Sequence, residues 1–232
     1  MRDTILFDIN ETVLDLAPMK ARFAAIFPND QVAGTWFSSL LHSSVVTAIT
    51  GVETRFSDLA WVMLDHMAAR HGMTLTDDQR DAILTGFSSL PPHPDVMAAL
   101  NHFRHHGYRT VAFTNSSFDL VNKQLSHANL ITSFDEIISV EATGSFKPDP
   151  KVYAFAAKQL ARPISSLRLI ATHDWDTHGA LHAGMLAGYV DRMTDQTVIH
   201  YHPLYKAPDC MAHDLVTLAE MITAADISAK SN

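Results

Sequence analysis

Asp8 is the residue around which a chemistry can be built. It ends the run Thr4-Ile5-Leu6-Phe7 and is followed by Ile9-Asn10-Glu11-Thr12. An unbroken stretch of apolar and β-branched residues predicts a strand buried on both faces, as in a parallel sheet. Ligands of such sheets bind beyond the carboxyl ends of the strands, so Asp8 is delivered to where a reaction would take place. An aspartate after a strand is, taken alone, more often a turn residue. Later stretches add polar groups at comparable positions: Thr114-Asn115, Lys147 in Phe146-Lys147-Pro148-Asp149, and His173-Asp174-Trp175-Asp176. A carboxylate nucleophile forms a covalent ester and divides one hard displacement into two easier steps. A lysine within about 4–6 Å would keep that carboxylate ionised. The hydroxyls of Thr12 and Thr114 and the amide of Asn115 can donate to a bound anion.

The elements that must position these residues alternate. Strands are predicted at residues 4–7, 108–113, 134–139, 167–171 and 187–190, the last of them closing the sheet. Helices are predicted at 95–105, 120–128, 151–160 and 177–183. Strand–helix alternation of this kind predicts an α/β fold, a Rossmann-like parallel sheet with helices on both faces. Between the first strand and Pro91-Pro92-His93-Pro94 the character differs. That segment holds helical patterns at 19–27, 32–42, 54–70 and 76–86, the last opened by the capping-box sequence Thr76-Asp77-Asp78-Gln79. The predicted organisation is a catalytic core of residues 1–14 and 93–232 with a helical cap, residues 15–92, inserted into it.

Composition bounds the reading. The chain has 232 residues, 47% apolar and 18% charged, enough for a sizeable core and unlike a disordered chain. A net charge of −8 without a basic run argues against a nucleic-acid partner. Cys210 is the only cysteine, so no intrachain disulfide can form, and a reducing, cytoplasmic setting is expected. The chain enters its first strand at once, from which no signal peptide is expected, and no stretch is expected to reach the length of a membrane span. The 14 histidines are scattered and give no metal-ligand spacing.

The order of these stretches resembles the haloacid dehalogenase-like hydrolase superfamily: Asp8 with Thr12, then Thr114-Asn115, then Lys147-Pro148, then Asp176 before Gly179-Ala180 and Gly184-Met185. The resemblance spans nearly the whole chain. It implies that Asp8 is the nucleophile and that Lys147 orients it. The phosphatase branch carries a second aspartate two residues after the nucleophile and an acidic Mg²⁺ ligand in the fourth motif. Here those positions are Asn10 and Ala171. An amide cannot deliver a proton at neutral pH, and a hard cation wants carboxylate oxygens. No metal and no cofactor are therefore expected.

Both departures point toward the L-2-haloacid dehalogenases, which Tyr153, Trp175-Asp176 and the segment Trp36-Phe37-Ser38-Ser39-Leu40 also resemble. That resemblance implies hydrolysis of a short 2-haloalkanoic acid to the 2-hydroxy acid, in a homodimer. The carboxylate of this small haloacid would rest on the Ile9 N–H, Thr114 and Asn115. Trp36 and Ser38 would face the substrate from the cap, Ser38 standing where the family has a halide-collecting arginine. Asn10, Glu11 and His173 replace the family's Tyr, Gly and Asn. Glu11 and His173 belong to loops that converge on Asp8, which predicts a Glu11–His173 hydrogen bond. In that dyad a neutral His173 would activate the hydrolytic water and Glu11 would orient the ring; Asp176 is the rival base. A phosphatase of the same superfamily, and an inactive binding protein with this fold, remain open alternatives.

Overall fold

The computed structural model describes residues 3–192 and 197–230. Its centre is a parallel sheet of six strands in the order β3-β2-β1-β4-β5-β6. These are β1 (Thr4–Phe7), β2 (Arg109–Thr114), β3 (Glu136–Ser139), β4 (Leu167–Ala171), β5 (Leu186–Val190) and β6 (Cys210–Ala212). β1 lies between β2 and β4, Phe7 standing level with Ala112 on one side and Ile170 on the other. All four residues of β1 and all five of β4 are buried, which is why β1 reads as a run without a charge; in β4 the one charged residue, Arg168, is buried on Asp226 at 2.9 Å. Chain direction across the sheet reverses at β1, so the crevice above β1 and its neighbours is the switch point where ligands of such sheets bind.

Four helices follow β1: α1 (Met19–Ala24), α2 (Gln31–Thr50), α3 (Phe56–Arg70) and α4 (Asp77–Leu84), then a 3-10 turn at Thr85–Ser89. They pack on one another through an aromatic cluster in which Trp36 lies 5.3 Å from Phe23 and 5.5 Å from Phe87, centroid to centroid. The predicted capping box at Thr76 and Gln79 is formed in both directions. α2 runs eight residues past its predicted end at His42, because Ser43, Ser44 and Thr47 turn their hydroxyls back onto helix carbonyls or a neighbouring sulfur and only Gly51, at φ 72°, stops it. This length also corrects an expectation. By length and composition α2 is long and apolar enough to cross a membrane, although Trp36 and Phe37 on its inward face are committed to the aromatic cluster and Leu40 is buried beside them.

The remaining helices are α5 (Val96–His105), α6 (Phe118–His127), α7 (Pro150–Gln159), α8 (Asp174–Ala183) and α9 (Leu215–Lys230). β5 was expected to end the sheet, but β6 and α9 extend the core. The signal for α9 was present: Leu215, Leu218, Ala219 and Ile222 keep helical spacing and are all fully buried. β6 has three residues and too little pattern to be found alone.

α8 comes unusually close to the Lys147 loop. A Cβ on Gly179 would lie 2.6 Å from Pro148 Cβ and 2.7 Å from the Tyr153 hydroxyl. Gly179→Ala is therefore expected to destabilise the protein by about 1–3 kcal/mol, the usual cost of overpacking. Chemical denaturation measures this; an unchanged midpoint would mean that α8 and the loop separate without strain.

Candidate active site

The ladder between β1 and β4 continues one residue beyond the strand, through Asp8 N–H to the Ile170 carbonyl at 3.0 Å. Asp8 is thus the last residue held by the sheet, and its side chain emerges at the carboxyl edge. The chain then folds back on itself, with Val13 and Leu14 N–H both donating to the Ile9 carbonyl. Within this turn Glu11 takes a left-handed conformation, φ 65°, which a residue with a Cβ adopts only under constraint.

Lys147 is 1% exposed, and its ammonium makes three hydrogen bonds: 3.0 Å to Asp8 Oδ1, 2.8 Å to Asp176 Oδ2 and 2.9 Å to the Phe113 carbonyl. The face of the Phe113 ring lies 4.5 Å from the same nitrogen. Asp176 is fully buried in the first turn of α8, where the helix dipole favours a carboxylate, and its Oδ1 accepts from the Tyr153 hydroxyl at 2.6 Å. Asp8 Oδ2 accepts from the Thr12 hydroxyl at 2.8 Å and faces His173 Nδ1 at 3.2 Å. His173 Nε2 faces Glu11 Oε2 at 2.8 Å, so the predicted Glu11–His173 hydrogen bond is present, and the ring stacks on Trp175 at 5.1 Å.

Charges set the protonation states. Burial alone would push the Asp8 carboxyl up, but the Lys147 ammonium, the His173 hydrogen bond and charge, and the Thr12 hydroxyl hold it well below the usual carboxylate range. Burial raises the Asp176 carboxyl, helped by the Asp8 charge and opposed by Lys147 and Tyr153. Burial would lower the Lys147 ammonium, yet the charges of Asp176 and Asp8 outweigh it and raise it. His173 runs against its burial too: hydrogen bonds to Asp8 and Glu11 and their negative charges push it up to about 10. The expectation of a neutral His173 is thereby corrected for the resting site. Flanked by two carboxylates, it is an imidazolium.

Other expected site residues are placed differently. Asn10 does not face the crevice: its Nδ2 donates to Ser116 Oγ at 3.2 Å and its Oδ1 accepts from Gln124 at 3.1 Å. Thr12 serves Asp8, not a ligand, since its hydroxyl also accepts from Thr172 N–H at 3.0 Å. Thr114 Oγ1 accepts from Ser116 N–H in the turn after β2. Asn115 Oδ1 accepts from Lys147 N–H at 3.0 Å. The Ile9 N–H makes no hydrogen bond among the described residues. Trp36 is buried with its indole N–H on the Ala60 carbonyl, so it offers an apolar wall.

Ser38 is the clearest departure. It is exposed and lines an outer groove with His42, Met63, His66 and Arg70. A helix turns about 100° per residue, so Trp36 and Phe37 point inward while Ser38 points away. They line a cleft of about 380 Å³ that reaches Glu11, with Lys20, Phe87, His93 and Arg192 also on its walls. A second cleft, of about 500 Å³, opens on the other side of His173 between Trp175 and residues 199–202. Residues not expected at the site are Phe113, through its carbonyl, and His93, whose Nε2 meets the Glu11 carbonyl at 3.0 Å. Neither has a local signal, because each acts through a partner remote in sequence.

Among the described residues no cluster of three or more histidine, cysteine or acidic side chains could hold a metal ion. At Asp8 itself, the Lys147 and His173 cations already occupy the surroundings of the carboxylate, and both Asp176 oxygens are engaged.

A buried carboxylate, ionised by a lysine at the switch point of a parallel sheet and roofed by helices, defines a class of α/β enzymes built around a charged aspartate. Comparison with known proteins identifies which. The profile of the haloacid dehalogenase-like hydrolases matches residues 2–166, and the chain belongs to that family. It is 26% identical over 190 residues to an (S)-2-haloacid dehalogenase of Pseudomonas putida, covering 81% of this chain and 85% of that protein. It is 25% identical over 218 residues to (S)-2-haloacid dehalogenase 1 of a Pseudomonas species, covering 93% of each. In fold it is similar to L-2-haloacid dehalogenase from Xanthobacter autotrophicus, with a TM-score of 0.86, 20% identity and coverage of 96% and 98% of the two chains. That enzyme has also been solved with chloropropionic acid covalently bound.

The His173 charge has a consequence for stability. Its folded value of about 10 lies above the ordinary 6.5, so its stabilising contribution is complete below about pH 6.5 and is lost as pH rises through about 10. The stability difference between wild type and His173→Asn is expected to shrink across that window. Urea midpoints at pH 6, 8 and 10 test this; parallel curves would mean that His173 is not charged in the folded protein.

Proposed function

We propose that the protein is an (S)-2-haloacid dehalogenase, hydrolysing short 2-haloalkanoic acids to 2-hydroxy acids through an ester on Asp8. The observation that carries the reading is an Asp8 carboxylate held ionised beside Lys147 while the position two residues on is an amide locked to Ser116 and Gln124. Halide leaves as a stable anion and needs no proton. The alkoxide expelled from a phosphate ester does, and Asn10 cannot supply one. The names of the curated relatives agree with this chemistry.

In the first step an Asp8 oxygen attacks C2 from the side opposite the halogen. The carbon–halogen electron pair leaves with the halide, C2 inverts, and the substrate's alkyl group is esterified to Asp8. The substrate carboxylate rests on the Ile9 N–H and the Asn115 amide, and the apolar cap wall of Trp36, Phe37 and Phe87 keeps water from the carbon–halogen bond.

In the second step esterification has removed the Asp8 charge, one of the two that hold the His173 proton. His173 gives up its Nδ1 proton through the cleft on its open side and becomes neutral, with Nε2–H still directed at Glu11. Water then attacks Cγ of Asp8, passing its proton to Nδ1. The bond from Cγ to the alkyl-bearing oxygen breaks, that oxygen takes the second proton of the attacking water so that the 2-hydroxy acid departs neutral at its hydroxyl, and the Asp8 carboxylate re-forms with the water's oxygen. Asp176, with both oxygens engaged by Lys147 and Tyr153, is less free to take that proton.

Incubation with (S)-2-chloropropionate is expected to release chloride at a rate unchanged by EDTA or Mg²⁺ and abolished in Asp8→Asn. Magnesium-dependent phosphate release from a generic phosphate ester would select a phosphatase instead, and silence on both substrates a binding protein. His173→Ala is expected to release about one halide per site and then stall, with the substrate's fragment found by mass on the Asp8 peptide. Normal turnover without trapped ester would pass the base role to Asp176.

A further inference from the structure

The Glu11–His173 contact depends on a backbone conformation that glutamate does not choose. At φ 65° the Glu11 side chain is projected toward His173, and something must hold the turn there. Part of the constraint is local: Glu11 N–H donates to the Leu14 carbonyl at 2.9 Å. The rest comes from the far end of the cap. The return linker lies antiparallel to the outgoing chain, with Leu14 bridged to Pro92, Asp15 N–H on the Pro91 carbonyl at 2.8 Å, and His93 N–H on the Val13 carbonyl at 3.0 Å.

His93 then places its ring Nε2 3.0 Å from the Glu11 carbonyl. A carbonyl only accepts, so Nε2 carries the proton. Burial and the neighbouring Arg192 charge lower His93 and favour its neutral form. Arg192 steadies the same turn from a third direction. Its guanidinium forks onto Asp95 at 2.7 and 3.0 Å and donates to the Thr12 carbonyl at 3.0 Å, while Asp95 also accepts from Leu215 N–H at 2.7 Å. Two successive carbonyls of the turn, Glu11 and Thr12, are thus held by side chains from outside it.

We propose that His93 is a positioning residue for the second half-reaction: by bonding the Glu11 carbonyl it fixes the left-handed turn that aims the Glu11 carboxylate at His173, and so couples the cap's return linker to hydrolysis of the Asp8 ester. This rests on the role proposed above for Glu11 and His173. The first step does not need the contact, since Lys147 and Thr12 orient Asp8 independently of it.

The test is a mutant cycle on the full chain with (S)-2-chloropropionate, reading the halide burst, KM, kcat and the ester trapped on Asp8. In His93→Phe, which keeps a ring and loses the donor, kcat and KM are expected to fall together about tenfold while the burst rate and kcat/KM stay within about twofold and trapped ester accumulates. His93→Gln, whose amide can reach the same carbonyl, should recover most of the loss. Glu11→Gln should show the same stall, and adding His93→Phe to it should cost nothing further. His93→Leu takes the place of His93→Phe if melting curves show that the latter does not fold. Additive losses in the double variant, or an equal fall in burst rate and kcat, would overturn the positioning role while leaving the dyad standing. Ester hydrolysis at the wild-type rate in Glu11→Gln would instead overturn the dyad, and the inference with it.

Discussion

The Lys147 ammonium is the charge on which the rest of the site depends. Removed from water, it is stable only because Asp8, Asp176 and the Phe113 carbonyl occupy its donors together. Those partners are equally dependent on it, since an uncompensated buried carboxylate costs several kcal/mol (roughly 3–5 when one partner is removed). The pair therefore does two things at once. It joins the ends of β1 and β2 to the first turn of α8, and it keeps the Asp8 carboxylate ionised in surroundings that would otherwise protonate it. Gly179 belongs to the same constraint, because only a residue without a Cβ lets α8 approach the Lys147 loop closely enough for Asp176 to reach the ammonium.

A second cation distinguishes this site. His173 sits on the other oxygen of Asp8 and is charged for the same reason that Lys147 is: two anions face it. The two cations differ in permanence. Lys147 keeps Asp176 whatever happens to Asp8, whereas esterification of Asp8 removes one of His173's two anions. The electrostatics thus change at the point in the proposed reaction where an acid-like resting group must become a base. Trp175, stacked on the imidazole, and Glu11 behind it hold the ring in place through that change.

Helices α1–α4 reach Asp8 and Lys147 through their connections as well as through the wall of Trp36 and Phe37. Their outgoing and returning chains are paired to each other beside the Asp8 turn. Gln124 of α6 bonds both Asn10 and the Phe87 carbonyl, joining core, turn and cap at one amide. Phe56 of α3 packs at 5.9 Å on Phe146, the residue before Lys147. Displacement of helices α1–α4 would be felt at the Asp8 turn and at Lys147 alike.

The sequence by itself determined the parallel α/β sheet, the helical segment after β1, and the gathering of Asp8, Lys147, Asp176, Glu11 and His173 at one sheet edge, while the roles expected of them came from the motif resemblance. These follow from short-range rules: unbroken apolar runs make buried strands, and residues at the ends of such strands gather at one edge. The Glu11–His173 contact was legible because both residues stand on loops that this edge must bring together. Only the tertiary structure decided directions and charges. Ser38 faces away because α2 presents Trp36 and Phe37 inward, and a rotation of one residue along a helix cannot be read without knowing what the helix packs on. Asn10 and Thr12 are spent on Ser116, Gln124, Asp8 and Thr172, partners that motif spacing does not reveal. The His173 charge is the furthest from sequence. It depends on distances of 3.2 and 2.8 Å to two carboxylates and on the burial of Asp8, and the protonation of a group is set by the field around it, which exists only once the chain has folded.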